Sequence, residues 1–224
     1  ANNQAYFRLG HRIDVDEAVI PWKGRHKARC YNPKKPFKFH FKKFMLNDAD
    51  TGYNFNFYYY GGKDETRPVD MPATTWPVVH LCSSTSPSLH GKNHLVALDN
   101  WFTSSRTHSW LAQHGFQGVG TVGPNKLSLV TPKRPQGFPS GGIFKKAATR
   151  NKGAYLVHKG RLLSGDGRGH DCYVTAWQDR HPVHVLSTYP PTLGSCRRKV
   201  KVNGQFVEGD WPRPSVVHHY NKTM

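Results

Sequence analysis

Two stretches of the chain alternate strictly. In "FKFHFKKFMLND" the aromatics Phe37, Phe39 and Phe41 fall on every second position, and in "GYNFNFYYYGG" Tyr53, Phe55, Phe57 and Tyr59 do the same. A period of two puts each set on one side of an extended backbone, so both stretches predict strands, with "DADTG" as the turn between them. Most of these aromatics are expected in the core. Earlier, "RIDVDEAVIPWKGR" sets Ile13, Val15, Val19 and Ile20 around Asp14, Asp16 and Glu17 and predicts a first strand. Residues 64–94 are weakly patterned, with a short helix suggested at "WPVVHLCSS". The apolar run of "HLVALD" is a buried strand that ends in Asp99. "NWFTSSRTHSWLAQHG" predicts a helix capped by Thr103 or Ser104, with Trp110 and Leu111 facing the core and Gly115 as the stop. "FQGVGTV" is a further strand.

From about residue 124 the character changes. "GPNKLSLVTPKRPQGFPSGG" is rich in Pro and Gly, and strand-like pieces follow in "GAYLVHKG", "CYVTAWQD" and "VHVLST". "TLGSCRRKVKVNGQFVEGD" is punctuated like a hairpin at "NG". The expected architecture is therefore α/β: a mixed sheet that begins with three antiparallel strands, continues β-α-β, and carries an inserted β-rich subdomain. This order is the opening of an RNase H-like fold. The expected division is 1–123 for the first part of the core, 124–212 for the insertion and 213–224 for the start of a return to the core. In such a topology the first and fourth strands are neighbours, which would bring Asp16 and Asp99 together. Asp99 is the sole acid between Asp70 and Asp166. Hard divalent ions such as Mg²⁺ take oxygen ligands from one or two carboxylates plus waters and phosphates. A pair of them roughly 4 Å apart activates a nucleophile and stabilises a leaving oxygen. Alternation also puts Asp14 on the face of Asp16, open to a secondary role.

Charge narrows the partner. The chain has 224 residues, with 32 Lys and Arg against 14 Asp and Glu, a formal net charge of +18. Such an excess points to an anionic partner, and nucleic acid is the commonest. Between Ala18 and Asn47 there are nine Lys or Arg and no acid. Four of them, Lys23, Arg25, Lys27 and Arg29, alternate, so an extended backbone would line them on one face for tracking phosphates; Lys34 and Lys35 follow, and Trp22, Tyr31 and Phe37 are interleaved. No apolar run reaches the roughly 20 residues that span a bilayer, so no membrane partner is expected, and no hydrophobic leader opens the chain. The absence of an initiator Met predicts a chain cut from something longer. The four cysteines are widely spaced without a CxxC pair, which predicts reduced thiols, and "HPVH" and "HDC" lack the second half of a zinc site.

Six pieces in order, "DEAVIPWKGRHKARCYNPKKPFKF", "GYNFNFYYYGG", "LDNWFTS", "GVGTV", "WQDRHPVHVLST" and "YNKTM", resemble piggyBac-type transposases over about residues 13–224. The resemblance implies an RNase H-like catalytic domain interrupted by an insertion. It implies cut-and-paste chemistry on DNA at TTAA targets, with Mg²⁺ (or Mn²⁺) and three aspartates. By motif the first aspartate is Asp16 and the second Asp99. The third is expected in a "GGVD" segment after "YN…", beyond Met224, so the isolated chain is expected to be inactive. Asp179 is the nearest stand-in, and a turn or surface role is expected for it. The resemblance further implies double-stranded DNA as partner, and the expected DNA contacts on this chain are Lys23, Arg25, Lys27, Arg29, Lys34, Lys35, Asn100, Arg106, Lys126, Lys133 and Arg134. It also implies a homodimer for the full-length protein, a nuclear location and no small-molecule substrate. Two other readings stand beside the enzyme: a domesticated or decayed DNA-binding protein of the same fold, and a basic RNA-binding module, which would give Asp16 and Asp99 no reason to cluster.

Overall fold

A computed structural model describes residues 3–62, 66–123, 126, 153–163, 167–202 and 204–224. Most of its strands belong to one sheet. The first strand, β1 (Arg12–Pro21), lies between β3 (Phe39–Asp48), which is antiparallel to it, and β5 (Leu95–Leu98), which is parallel. β4 (Asn54–Tyr60) and the two-residue β2 (Cys30–Tyr31) both pair with β3. β6 (Gln117–Thr121) pairs parallel to β5. Three antiparallel strands followed by β-α-β are thus present, with a mixed sheet of RNase H-like arrangement as the result. β2 is an addition that the pattern did not suggest.

Local chemistry explains the element ends. At the β3–β4 turn the Asp48 carboxylate accepts from the amides of Gly10 (2.6 Å), Asp50 (3.1 Å) and Thr51 (2.9 Å), and Gly52 takes φ +70°. These donors outweigh the cost of burial and hold the Asp48 carboxyl below its usual range. A four-residue helix, α1 (Asn3–Tyr6), precedes β1; α2 (Trp76–Ser83) and α3 (Ser105–Gln113) follow in order. Ser104 caps α3 by accepting the Thr107 amide at 3.1 Å, and Gly115, φ +74°, ends it.

The faces of the sheet are covered differently. On one side α2 and α3 bury Ile13, Val15, Phe44, Leu46, Val96 and Leu98. α3 comes close because β6 has glycines there: a Cβ on Gly118 would lie 3.0 Å from both His108 and Leu111 side chains. On the other side α4 (Ser215–Thr223) packs Val216 and Val217 on Leu95, Ala97 and Val119, so the C-terminal segment returns to the main sheet. The β3–β4 wing lies outside that cover. Phe37, Phe39, Phe57 and Tyr59 are therefore exposed, which corrects the expectation that most of the alternating aromatics are core. Alternation defines two faces; the faces that helices cover here belong to Phe44 and Leu46.

From residue 153 the next described strands continue the main sheet. β7 (Tyr155–Leu163), β8 (Gly169–Gln178) and β9 (Pro182–Ser187) form an antiparallel run that joins the main sheet through β9 and β6. Val174, Ala176 and Leu186 make a second core there. β10 (Leu193–Val202) and β11 (Gln205–Pro214) form a separate hairpin, with Gly204 at φ +87° in its turn. The Trp177 indole anchors this hairpin by donating to the Pro212 carbonyl at 2.8 Å.

Candidate functional site: an acid pair on neighbouring strands

The parallel register of β1 and β5 ends at Val15 opposite Leu98, so the next residues, Asp16 and Asp99, follow side by side on the same face. Their charges interact. Burial raises the Asp16 carboxyl above its usual value, and the negative charge of Asp99 pushes it further in the same direction, against the Glu17 amide that donates to Asp16 at 2.7 Å. Asp99 is half-buried and oriented by its own chain: its Oδ1 accepts the amides of Trp101 (2.8 Å) and Phe102 (3.3 Å), while the Thr103 hydroxyl donates to its carbonyl at 2.7 Å. That leaves the second carboxylate oxygen for a ligand. The support behind Asp99 is tight. A Cβ on Gly120 would sit 2.1 Å from the Thr103 hydroxyl and 3.0 Å from the Leu98 carbonyl, so β6 can lie here only as glycine.

Asp14 lies on the same face, buried, and takes a hydrogen bond from Asn47 at 2.9 Å. Burial pushes its carboxyl up to about 6, and Asp16 adds to the rise. A residue without an obvious signal in the sequence completes the surroundings. Tyr220, from α4, meets Thr121 at 3.5 Å, and its phenol is raised by burial and then by the charges of Asp99 and Asp16. The only hint was its place in "YNKTM".

Among the other candidates, Asn100 and Lys126 come together behind Asp99. The Asn100 side chain accepts the Gly123 amide at 2.7 Å, and Lys126 donates to the Asn100 carbonyl at 2.5 Å. Lys35 reaches Glu17 at 3.4 Å and exerts its charge on Asp16 as well. Arg106 projects from α3 and pairs with Asp70 at 3.0 Å. Lys34 is exposed, and Lys133 and Arg134 lie outside the described residues. Lys23, Arg25, Lys27 and Arg29 are all exposed, yet they do not line one extended face. The segment folds back at a turn, Arg29 N–H to His26 O at 3.1 Å, and the Arg29 guanidinium donates to the carbonyls of Gly24 (3.2 Å) and Lys23 (3.4 Å). Backbone acceptors close by drew the arginine inward, and the alternation became a basic loop. Asp179 is held by Arg198 of β10.

The donor chemistry fits a hard cation in one respect: two carboxylates with raised or repelling charge gain from a positive ion between them. Among the described residues no group of three or more His, Cys, Asp and Glu converges on one point. The four cysteines are free thiols. None of the described helices is long and apolar enough to cross a membrane.

This combination of a mixed RNase H-like sheet with neighbouring acids where the pairing of β1 and β5 ends defines the class. The comparisons agree with it. The profile of the family described as "Transposase IS4" matches residues 1–224, and the chain belongs to that family, as a piggyBac-type transposase segment. It is 24% identical over 235 residues to the human "PiggyBac transposable element-derived protein 3", spanning 99% of this chain and 33% of that protein. Against the human "Chimeric ERCC6-PGBD3 protein" the identity is also 24%, over 99% of this chain and 19% of the relative. A solved structure, described as the cryo-EM structure of piggyBac transposase synaptic complex with hairpin DNA, shares the fold. The TM-score is 0.63 at 23% identity, covering 96% of this chain and 38% of that one. The chain thus spans about a third of the first relative and of the solved chain.

Proposed function

We propose that these 224 residues carry two of the catalytic acids of a cut-and-paste DNA transposase, and that the third is supplied from sequence beyond Met224. The observation that carries the reading is the pairing of Asp16 and Asp99 on one face, with mutual repulsion. In this reading both carboxylates hold Mg²⁺ (or Mn²⁺). When bound, such ions activate the attacking oxygen and stabilise the leaving one in phosphoryl transfer. The chain's own part is to present the acids: β1 and β5 set their spacing, and the Trp101 and Phe102 amides fix Asp99. The exposed basic loop of Lys23, Arg25, Lys27 and Arg29 would track the phosphates of double-stranded DNA. A TTAA target, a homodimer of the whole protein, action in the nucleus and the division 1–123, 124–212 and 213–224 belong to the same proposal. A solved relative in complex with hairpin DNA supports the DNA part.

Two carboxylates offset only part of the charge of a metal pair, and small misplacements of reacting groups cost about 100-fold in rate. The 224-residue chain alone is therefore expected not to nick DNA at a useful rate. The test compares it with a chain extended through a "GGVD" segment, on a substrate carrying a transposon end. The longer chain should nick and its Asp16→Asn and Asp99→Asn variants should not. Equal nicking by the short chain, abolished by Asp99→Ala, would put the third acid inside residues 1–224 and overturn this arrangement.

A second reading is a domesticated, non-catalytic DNA-binding protein, favoured by a relative whose name marks it as transposable element-derived. There the longer chain binds DNA and never nicks it. Both readings predict salt-sensitive binding with little sequence preference. Replacing Lys23, Arg25, Lys27 and Arg29 with Ala should reduce the salt slope by about 0.9 per lost phosphate contact.

A further inference from the structure

On the opposite face from Asp16 lies a cleft of 340 Å³. That is within the range of roughly 300–1,000 Å³ usual for small-molecule sites. Its walls are unlike the acid face. Trp101, Trp76, Tyr58 and Tyr60 supply aromatic surface, and Lys35, Lys42 and Arg67 supply positive charge. Lys42 stands over the Trp101 ring at 4.5 Å and the Phe44 ring at 4.9 Å. Among the described residues Glu17 is the one acid lining it. Lys42 and Lys35 both pair with it, so the described lining keeps a net positive charge.

We infer that this cleft receives a base of an unpaired DNA strand, stacked on its aromatic wall, with the flanking phosphates met by Lys35 and Arg67. The inference rests on the reading of the chain as a DNA-processing core and names a second contact for the same substrate. Three observations favour a nucleotide over other occupants. Flat aromatic rings beside cations match a ligand that is planar and carries negative charge on the same unit, as a nucleotide is. The chain as a whole is strongly basic, at +18. The cleft also shares its backbone with the acid pair. Glu17 follows Asp16 on β1 and points to the other face, and the Trp101 amide is bonded to Asp99 itself at 2.8 Å. The cleft wall thus adjoins the acid pair along β1 and through the turn after β5. Inside a duplex both faces of a base are already stacked, so a base that stacks on the cleft wall must be unpaired.

The test needs no knowledge of where the strand lies. The chain is titrated with a thymidine dodecamer and with a sugar–phosphate dodecamer of the same length lacking all bases. One base–aromatic stack is worth enough to make the base-bearing strand bind about tenfold tighter or more. Tyr60→Ala, at a partly exposed ring, and separately Trp76→Leu should each reduce that ratio, while affinity for a duplex of mixed sequence stays unchanged. Thermal melting checks that both variants fold. Equal binding of the two dodecamers by the unaltered chain overturns the inference, and so does a ratio that survives both substitutions. In either case duplex binding with a steep salt slope keeps the DNA reading intact, whereas loss of all binding refutes that reading. A dodecamer displaced by an acidic peptide but not by dAMP would reassign the cleft to a protein partner.

Discussion

Asp16 and Glu17 are adjacent in the chain and opposite in environment. Asp16 faces Asp99 and Asp14 among partly buried groups, and its carboxyl is raised by burial and by like charge. Glu17 faces the aromatic cleft; burial would raise it too, but the hydrogen bond and charge of Lys42, with Lys35, hold it below its usual value. One step of the pleat thus separates a carboxylate dominated by burial and like charge from one held by two lysines. The first keeps like charges close together, and the second has its counter-charge built in. A strand is suited to this division because successive side chains leave it in opposite directions.

The contrast can be broken most strongly from the cleft side. Phe44 is 2% exposed, stacks on Trp101 with centroids 5.6 Å apart, and forms the floor under Lys42. Phe44→Ala should cost about 3–5 kcal/mol of stability, measured by urea unfolding. A cost below about 1 kcal/mol would mean that the cleft wall is not part of the core.

A sharper probe lies on the acid face. The folded Asp14 carboxyl sits at about 6 against 3.8 when unperturbed. The folded state then binds more protons than the unfolded chain between those values, so stability falls as pH rises through that window. Asp14→Asn keeps an acceptor for Asn47 and removes the charge. It should stabilise the chain at pH 7 by on the order of 1–3 kcal/mol and flatten the fall between about pH 4 and 6. Melting temperatures at pH 4, 5, 6 and 7 check this, and a destabilised variant at pH 7 would contradict it.

The smallest effect should come from Glu17. Its lowered carboxyl contributes stability that is present above the unfolded value and is lost as pH falls through the acid range. Glu17→Gln should cost below about 1 kcal/mol at neutral pH, because the pair is partly solvated, and the cost should vanish in acid. The signs for positions 14 and 17 are opposite, which one pH series on both variants would display.

How far the sequence foretold this depends on distance along the chain. Strand positions and the α3 cap could be read locally, from alternation and from Ser104. The acid pair could be read because Asp99 ends an apolar run, Asp16 lies on the first strand, and the strand order made those strands neighbours. Which face of β3 was covered could not be read: Phe39 and Phe44 are equally apolar, and the answer depends on where α2, α3 and α4 land. The same holds for Lys23 to Arg29, where a spacing of two described a strand but nearby carbonyls made a turn. The cleft is assembled from β1, β3, β4, α2 and the turn after β5, and no single stretch announces it. The union of β9 with β6 was hidden for the same reason, since Val119 and Ser187 meet across a long intervening segment.

Gly120 has a consequence for how such a gene ages. Any side chain there displaces Thr103, which braces the turn that orients Asp99. A single nucleotide change in that codon can therefore disturb the Asp99 turn while every acidic codon stays intact. Among gene copies drifting without selection, inventories of intact aspartates would then overcount those in which the turn still holds. The glycine codons of "GVGTV" belong in the same inventory.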